Sequence, residues 1–101
     1  MDDFSPKNIG IIGAGPAGMM SAIYASYNGA RVTIFEKNRA VGRKLAITGK
    51  GRCNVTNNCD NAELLKNIIA NPKFLYASFS AFNTQDTIAF FEGLGVPLKT
   101  E

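Results

Sequence analysis

The feature that most narrows the possible folds is Gly13-Ala-Gly15-Pro-Ala-Gly18, a G-x-G-x-x-G hexamer placed where an apolar run gives way to a helical pattern. Ahead of it, Asn8-Ile-Gly-Ile-Ile-Gly13 reads as a short parallel strand, apolar on both faces and so expected to be buried. Behind it the period changes. Ala17, Met20, Ile23, Tyr24 and Tyr27 recur at helical spacing, Pro16 suits a first helical turn, and Asn28-Gly29 supplies a stop. The two tyrosines, with Met19 and Met20, are expected in the core. Arg31-Val-Thr-Ile-Phe-Glu36 is a β-branched second strand. Strand, helix and strand fit within about 30 residues, the size of a βαβ unit.

A glycine hexamer alone is a weak signal, but its context raises it: it follows a strand, opens a helix, and Glu36 lies 21 residues beyond Gly15 at the end of the next strand. Gly13 permits the tight turn, Gly15 lets the backbone approach a diphosphate, and Gly18 lets helix and strand pack closely. Amides at the helix N-terminus, with about half a positive charge from the helix dipole, then face the anion without a cation in the hexamer. Glu36, acceptor-only when ionised, suits ribose hydroxyls and would repel a 2′-phosphate, which disfavours NADP.

The next stretch, residues 37–58, shows neither helical nor strand periodicity. A structureless loop of about 20 residues inside a compact domain is usually functional, so this one is expected to be a ligand loop. Lys37, Arg39, Arg43, Lys44, Lys50 and Arg52 place six of the chain's eleven cations between Glu36 and Asp60 with no acid among them. Arg43 and Lys44 follow the second strand at the C-terminal edge of the sheet, where open α/β folds bind ligands. The alternation of Arg52, Asn54 and Thr56 suggests a short extended piece there.

Beyond the loop, the segment 60–95 reads as helical. Asp60 with Glu63 fits a capping box, and Leu64, Leu65, Ile68 and Ile69 make an amphipathic helix ending near Asn71-Pro72. Lys73 to Phe82 is expected to be helical, and Thr84 to cap a last helix with Ile88, Phe91 and Leu94 on one face and Gly93 and Gly95 ending it. Val96 to Glu101 starts extended, so the chain is expected to stop at the entrance to a strand that has no partner here.

With these residues in view, the first 36 resemble the glutathione-reductase-type FAD fold, and Val41-Gly42-Arg43-Lys44-Leu45 resembles that group's second glycine/arginine element. The run from Gly42 to Asn57, GRKLAITGKGRCNVTN, is similar to the signature of the bacterial flavoprotein family of the BaiN/RdsA-like, or aminoacetone-oxidase-like, type. The resemblance implies an FAD-dependent oxidoreductase acting on a small organic substrate by amine oxidation or enone reduction. It implies that residues 1–101 are the N-terminal part of an incomplete Rossmann-like FAD-binding domain of α/β class, followed by short helices, with the remaining domains absent. The expected cofactor-binding set is Gly13, Ala14, Gly15, Pro16, Ala17, Gly18, Glu36, Lys37, Gly42, Arg43, Lys44, Leu45, Thr48, Gly49, Gly51, Arg52, Cys53 and Asn54. No residue is assigned a catalytic role.

The remaining composition bounds the alternatives. A net charge of +3 is too small to imply nucleic acid, and no aromatic residue interleaves Arg39 to Arg52 to stack bases. With no histidine, Cys53 and Cys59 lack the usual completions of a zinc site or a nucleophilic pair, and free thiols are expected. Acidic Asp2 and Asp3 at the start and the absence of a run of about 20 apolar residues argue against a signal peptide and a membrane span, so the cytoplasm is the default. Partners are expected to be FAD and a small molecule, with self-association possible through unpaired sheet edges. An NAD-dependent dehydrogenase segment and a non-catalytic dinucleotide-sensing module stand as alternatives.

Overall fold

The computed structural model describes residues 5–101, so Asp2 and Asp3 lie outside the described residues. The chain divides into two compact units, one ending at Cys53 and the other running Asn54–Glu101. The division falls inside the loop expected over residues 37–58.

The first unit is the expected βαβ. Strand β1 (Asn8–Ile12) and strand β2 (Arg31–Phe35) pair in parallel, in register from Asn8 opposite Arg31 to Ile12 opposite Phe35. Helix α1 (Pro16–Tyr27) connects them and packs on both. Pro16 stands at its first position, where a missing N–H is no loss. At its other end Asn28 Nδ2 donates to the Tyr24 carbonyl at 2.8 Å, and Gly29 turns the chain at φ +88°.

The expected burial of β1 is not met. Only Ile11 is half-buried, while Ile12 is 86% exposed and Phe35 at the end of β2 is 57% exposed. A single helix covers one face of a two-stranded sheet, so residues whose side chains alternate to the other face remain in solvent. On α1 the half-buried residues include Met19, Met20, Ala22 and Ile23, as expected of the methionines. Tyr24 and Tyr27 are exposed, which corrects their expected place in the core, and Ala17 is exposed as well. The tyrosine rings pack edge-to-face on each other instead, centroids 5.6 Å apart.

Two short pieces occupy what was expected to be a structureless loop. Helix α2 (Arg43–Ile47) starts at Gly42, and a 3-10 turn follows over Thr48–Gly51, with Gly49 and Lys50 both at positive φ. Arg43, Lys44, Leu45 and Ala46 are all good helix formers. From Arg52 to Asn57 the chain forms no strand.

The second unit is helical. Helix α3 (Asn61–Lys66) begins where Asp60 accepts from the Glu63 amide at 2.8 Å. It ends five residues short of Asn71, because Asn67 Nδ2 takes the Glu63 carbonyl at 2.9 Å and closes the last turn. A 3-10 turn (Pro72–Leu75) leads into α4 (Tyr76–Ala81), as expected for Lys73 to Phe82. Helix α5 (Thr84–Gly93) is capped by Asn83 and not by Thr84: Asn83 Oδ1 accepts from the Asp86 amide at 2.8 Å and Asp86 Oδ2 from the Asn83 amide at 2.9 Å. Thr84, 4% exposed, instead turns its hydroxyl inward to donate to the Cys59 carbonyl. Ile88 and Phe91 are half-buried as expected, whereas Leu94 is 59% exposed past the helix end.

Candidate nucleotide-binding site

The C-terminal ends of β1 and β2 carry the residues that the sequence singles out. Gly13 continues the ladder by donating its N–H to the Phe35 carbonyl at 2.8 Å, then turns away at φ +96°, a left-handed conformation that favours glycine. Gly18 lies so close to this turn that a Cβ on it would sit 2.0 Å from the Gly13 carbonyl oxygen. Gly15 is different, since a Cβ there would meet nothing within 4 Å. Its backbone is extended, at φ −82° and ψ −175°, which any residue adopts.

Beside that open space stands the N-terminus of α1, with no side-chain cap and no acidic residue in its first turn. Pro16 has no N–H, and the first free amides of the turn are left to an external acceptor. The surroundings of Gly15 therefore fit a diphosphate: space against bare backbone, donors at a helix end and no acidic residue in the first helical turn.

Ala14, between the first two glycines, is 1% exposed and is held on both sides of its peptide units. Its N–H donates to Glu36 Oε1 at 2.9 Å, and its carbonyl accepts from the Gly42 N–H at 2.7 Å. The other carboxylate oxygen, Glu36 Oε2, accepts from the Asn38 N–H at 2.7 Å. The Ala14 amide first, and the Asn38 amide second, hold the Glu36 carboxyl below its ordinary 4.5 by stabilising the ionised form. Each carboxylate oxygen keeps a second lone pair, so acceptor capacity remains for a ribose hydroxyl.

Gly42, at φ +63°, turns the chain into α2, and a Cβ on it would sit 3.3 Å from Met19 Cε. Arg43, the first residue of α2, reaches back to donate from Nη1 to Asn38 Oδ1 at 3.4 Å. Hexamer, Glu36, Gly42 and Arg43 are thus assembled around one peptide. Pro16, Ala17, Lys37, Lys44, Leu45 and Thr48 are exposed in the same unit; Gly49 and Gly51 belong to the 3-10 turn, and Arg52 and Cys53 follow it, exposed. Asn54 opens the second unit and is exposed. Both cysteines are thiols. Among the described residues no group of three or more Asp, Glu, Cys or His side chains could hold a metal, and no helix is long and apolar enough to cross a membrane.

Two features escaped the sequence reading. Asn38 was not singled out, and the Gly42–Ala14 bond joins positions 28 apart that no local pattern connects. The helix-forming run after Gly42 was the available signal for α2.

The family described as "HI0933-like protein Rossmann domain" matches residues 7–101. A 3-dehydro-bile acid delta(4,6)-reductase of Clostridium scindens is 37% identical over 96 residues, covering 93% of this chain and 23% of that protein. Ribosomal RNA dihydrouridine synthases of Haemophilus influenzae and Escherichia coli are 33% and 35% identical, each covering 85% of this chain and 21% of the relative. The chain spans between a fifth and a quarter of the length of these relatives.

Proposed function

The chain belongs to the HI0933-like Rossmann-domain family, a dinucleotide-binding family of flavin-type oxidoreductases, and from that premise we propose that it binds FAD as part of a flavin-dependent reductase. The observation that carries the reading is the empty space at Gly15 beside the uncapped N-terminus of α1. The diphosphate lies along Gly13, Ala14, Gly15, Pro16, Ala17 and Gly18, and the adenosine ribose on Glu36. Lys37 and the basic segment of Gly42, Arg43, Lys44, Leu45, Thr48, Gly49, Gly51, Arg52, Cys53 and Asn54 supply the further cofactor contacts.

Bound FAD would supply hydride chemistry, and the protein contributes position, electrostatics and exclusion of water. The hexamer fixes the adenosine diphosphate end through backbone amides, so its affinity does not depend on a side-chain charge there. Of the two reactions that the sequence resemblance allows, reduction is favoured over amine oxidation, because the relatives include a delta(4,6)-reductase and dihydrouridine synthases. The chemistry these relatives share is reduction of a carbon–carbon double bond conjugated to a carbonyl, in a bile acid for one and in ribosomal RNA for the others, and we propose a small molecule carrying that group as the substrate.

Extraction of the ligand from purified protein, followed by its absorbance spectrum, tests the cofactor. An oxidised-flavin spectrum with a 1:1 adenine content is expected. A nicotinamide spectrum, or adenine without flavin, overturns the assignment.

A further inference from the structure

Four hydrogen bonds in the first unit close into a ring. Ala14 N–H donates to Glu36 Oε1 (2.9 Å), Asn38 N–H donates to Glu36 Oε2 (2.7 Å), Arg43 Nη1 donates to Asn38 Oδ1 (3.4 Å), and Gly42 N–H, adjoining Arg43, donates to the Ala14 carbonyl (2.7 Å). Three of the four are of ordinary length and involve main-chain groups; the guanidinium bond, long and exposed, is the weakest link. The ring joins three segments that are separate in sequence: the glycine turn, the end of β2 and the start of α2.

We propose that Glu36 and Asn38 are positioning residues that lock the glycine turn and the basic start of α2 in register before a ligand arrives, so that Glu36 governs recognition of the diphosphate as well as of the ribose. The inference rests on the nucleotide reading above for its ligand, but the ring itself does not. Glu36 Oε1 fixes the peptide between Gly13 and Ala14, which sets the direction of the backbone at Gly15. The Ala14 carbonyl then holds Gly42, and Gly42 sets where α2 begins. Asn38 holds the Arg43 side chain in the same frame. An ordered site avoids the entropy lost when a floppy loop closes on its ligand.

The charge of Glu36 makes the claim separable from the ribose role. A carboxylate close to a diphosphate repels it, so neutralising Glu36 without altering the backbone would tighten the binding of inorganic pyrophosphate. Breaking the ring acts the other way. In Glu36→Gln one carboxylate oxygen becomes an NH2 that confronts a backbone N–H, so one of the two main-chain bonds is lost.

The test measures pyrophosphate and ADP binding by calorimetry, and amide hydrogen exchange at Ala14, Asn38 and Gly42 by NMR without ligand, in the protein and in Glu36→Gln and Asn38→Ala. The ring predicts that Glu36→Gln weakens pyrophosphate several-fold, although pyrophosphate has no ribose, and speeds exchange at least tenfold at Ala14 or at Asn38, whichever amide faces the new NH2. Asn38→Ala, which keeps the backbone N–H and loses only the Arg43 partner, should weaken pyrophosphate about twofold and leave Ala14 exchange unchanged. Pyrophosphate binding that is unchanged or tighter in Glu36→Gln, or exchange that moves at neither Ala14 nor Asn38, overturns the proposal. If the unaltered protein binds neither ADP nor pyrophosphate, the nucleotide reading falls, and the proposal falls with it as a claim on diphosphate; the exchange data then decide the ring on its own.

Discussion

Gly15 and Gly18 stand three residues apart under different constraints. A methyl at Gly18 meets the Gly13 carbonyl at 2.0 Å, so Gly18→Ala must push α1 off the sheet; the expected loss is about 1–3 kcal/mol in urea unfolding. At Gly15 a Cβ meets nothing within 4 Å and the backbone is one any residue adopts, so in Gly15→Val the far-ultraviolet circular dichroism should be unchanged, while FAD affinity falls by at least tenfold, or about 1.4 kcal/mol. Retained affinity would make the hexamer a structural turn only. Glu36 adds a pH signature. Its carboxyl lies below 4.5 in the folded chain, so its contribution to stability is present above that value and is lost as pH falls through the lower folded-state value. Urea midpoints measured downward from neutral pH should fall in that range, and less so in Glu36→Gln. The roles of Gly13 and Gly18 were legible in the sequence because backbone crowding follows from spacing. The double main-chain bonding of Glu36 was not, because it depends on where residues 38 and 42 return in space.

At the scale of elements, period and punctuation located α1 and both strands to within a residue or so. They failed where elements are short. A five-residue helix such as α2 shows barely more than one turn of pattern, and its start is set by the left-handed Gly42 and the bond to Ala14. The cap of α5 slipped by one position for a related reason: Asn83 and Thr84 are both capping residues, and only tertiary structure sends the threonine hydroxyl inward to Cys59. Asn83→Ala should therefore lower stability by about 1 kcal/mol, read by thermal or urea unfolding. Thr84→Ser, which keeps the hydroxyl, should be milder than Thr84→Val, which leaves the Cys59 carbonyl without that donor. A larger loss for Ser than for Val would mean that the buried methyl, and not the hydrogen bond, is what Thr84 contributes.

For the molecule as a whole, the sequence indicated a βαβ unit but overstated its core. Among the described residues only Ala14 and Thr84 are buried, while Ile12, Phe35, Ile47 and Phe74 are more than half exposed. Apolar content measures what a chain can bury, whereas burial requires partners, and a two-stranded sheet with one helix offers a single covered face. Residues 1–101 alone should accordingly self-associate in sedimentation and show no turnover above free flavin. The check is reconstitution with excess FAD, followed by amine-dependent oxygen uptake and NAD(P)H-dependent dye reduction; protein-dependent turnover in either assay would place the catalytic apparatus within these residues. The contrast between the crowded Gly18 and the open Gly15 also gives a way to read descent. A lineage that kept this scaffold after abandoning its nucleotide would still be held to glycine at 18 by the fold, and position 15 would be the first to drift. A descendant sequence with glycine at 18 and a bulky residue at 15 would mark the loss of the cofactor before any assay was run.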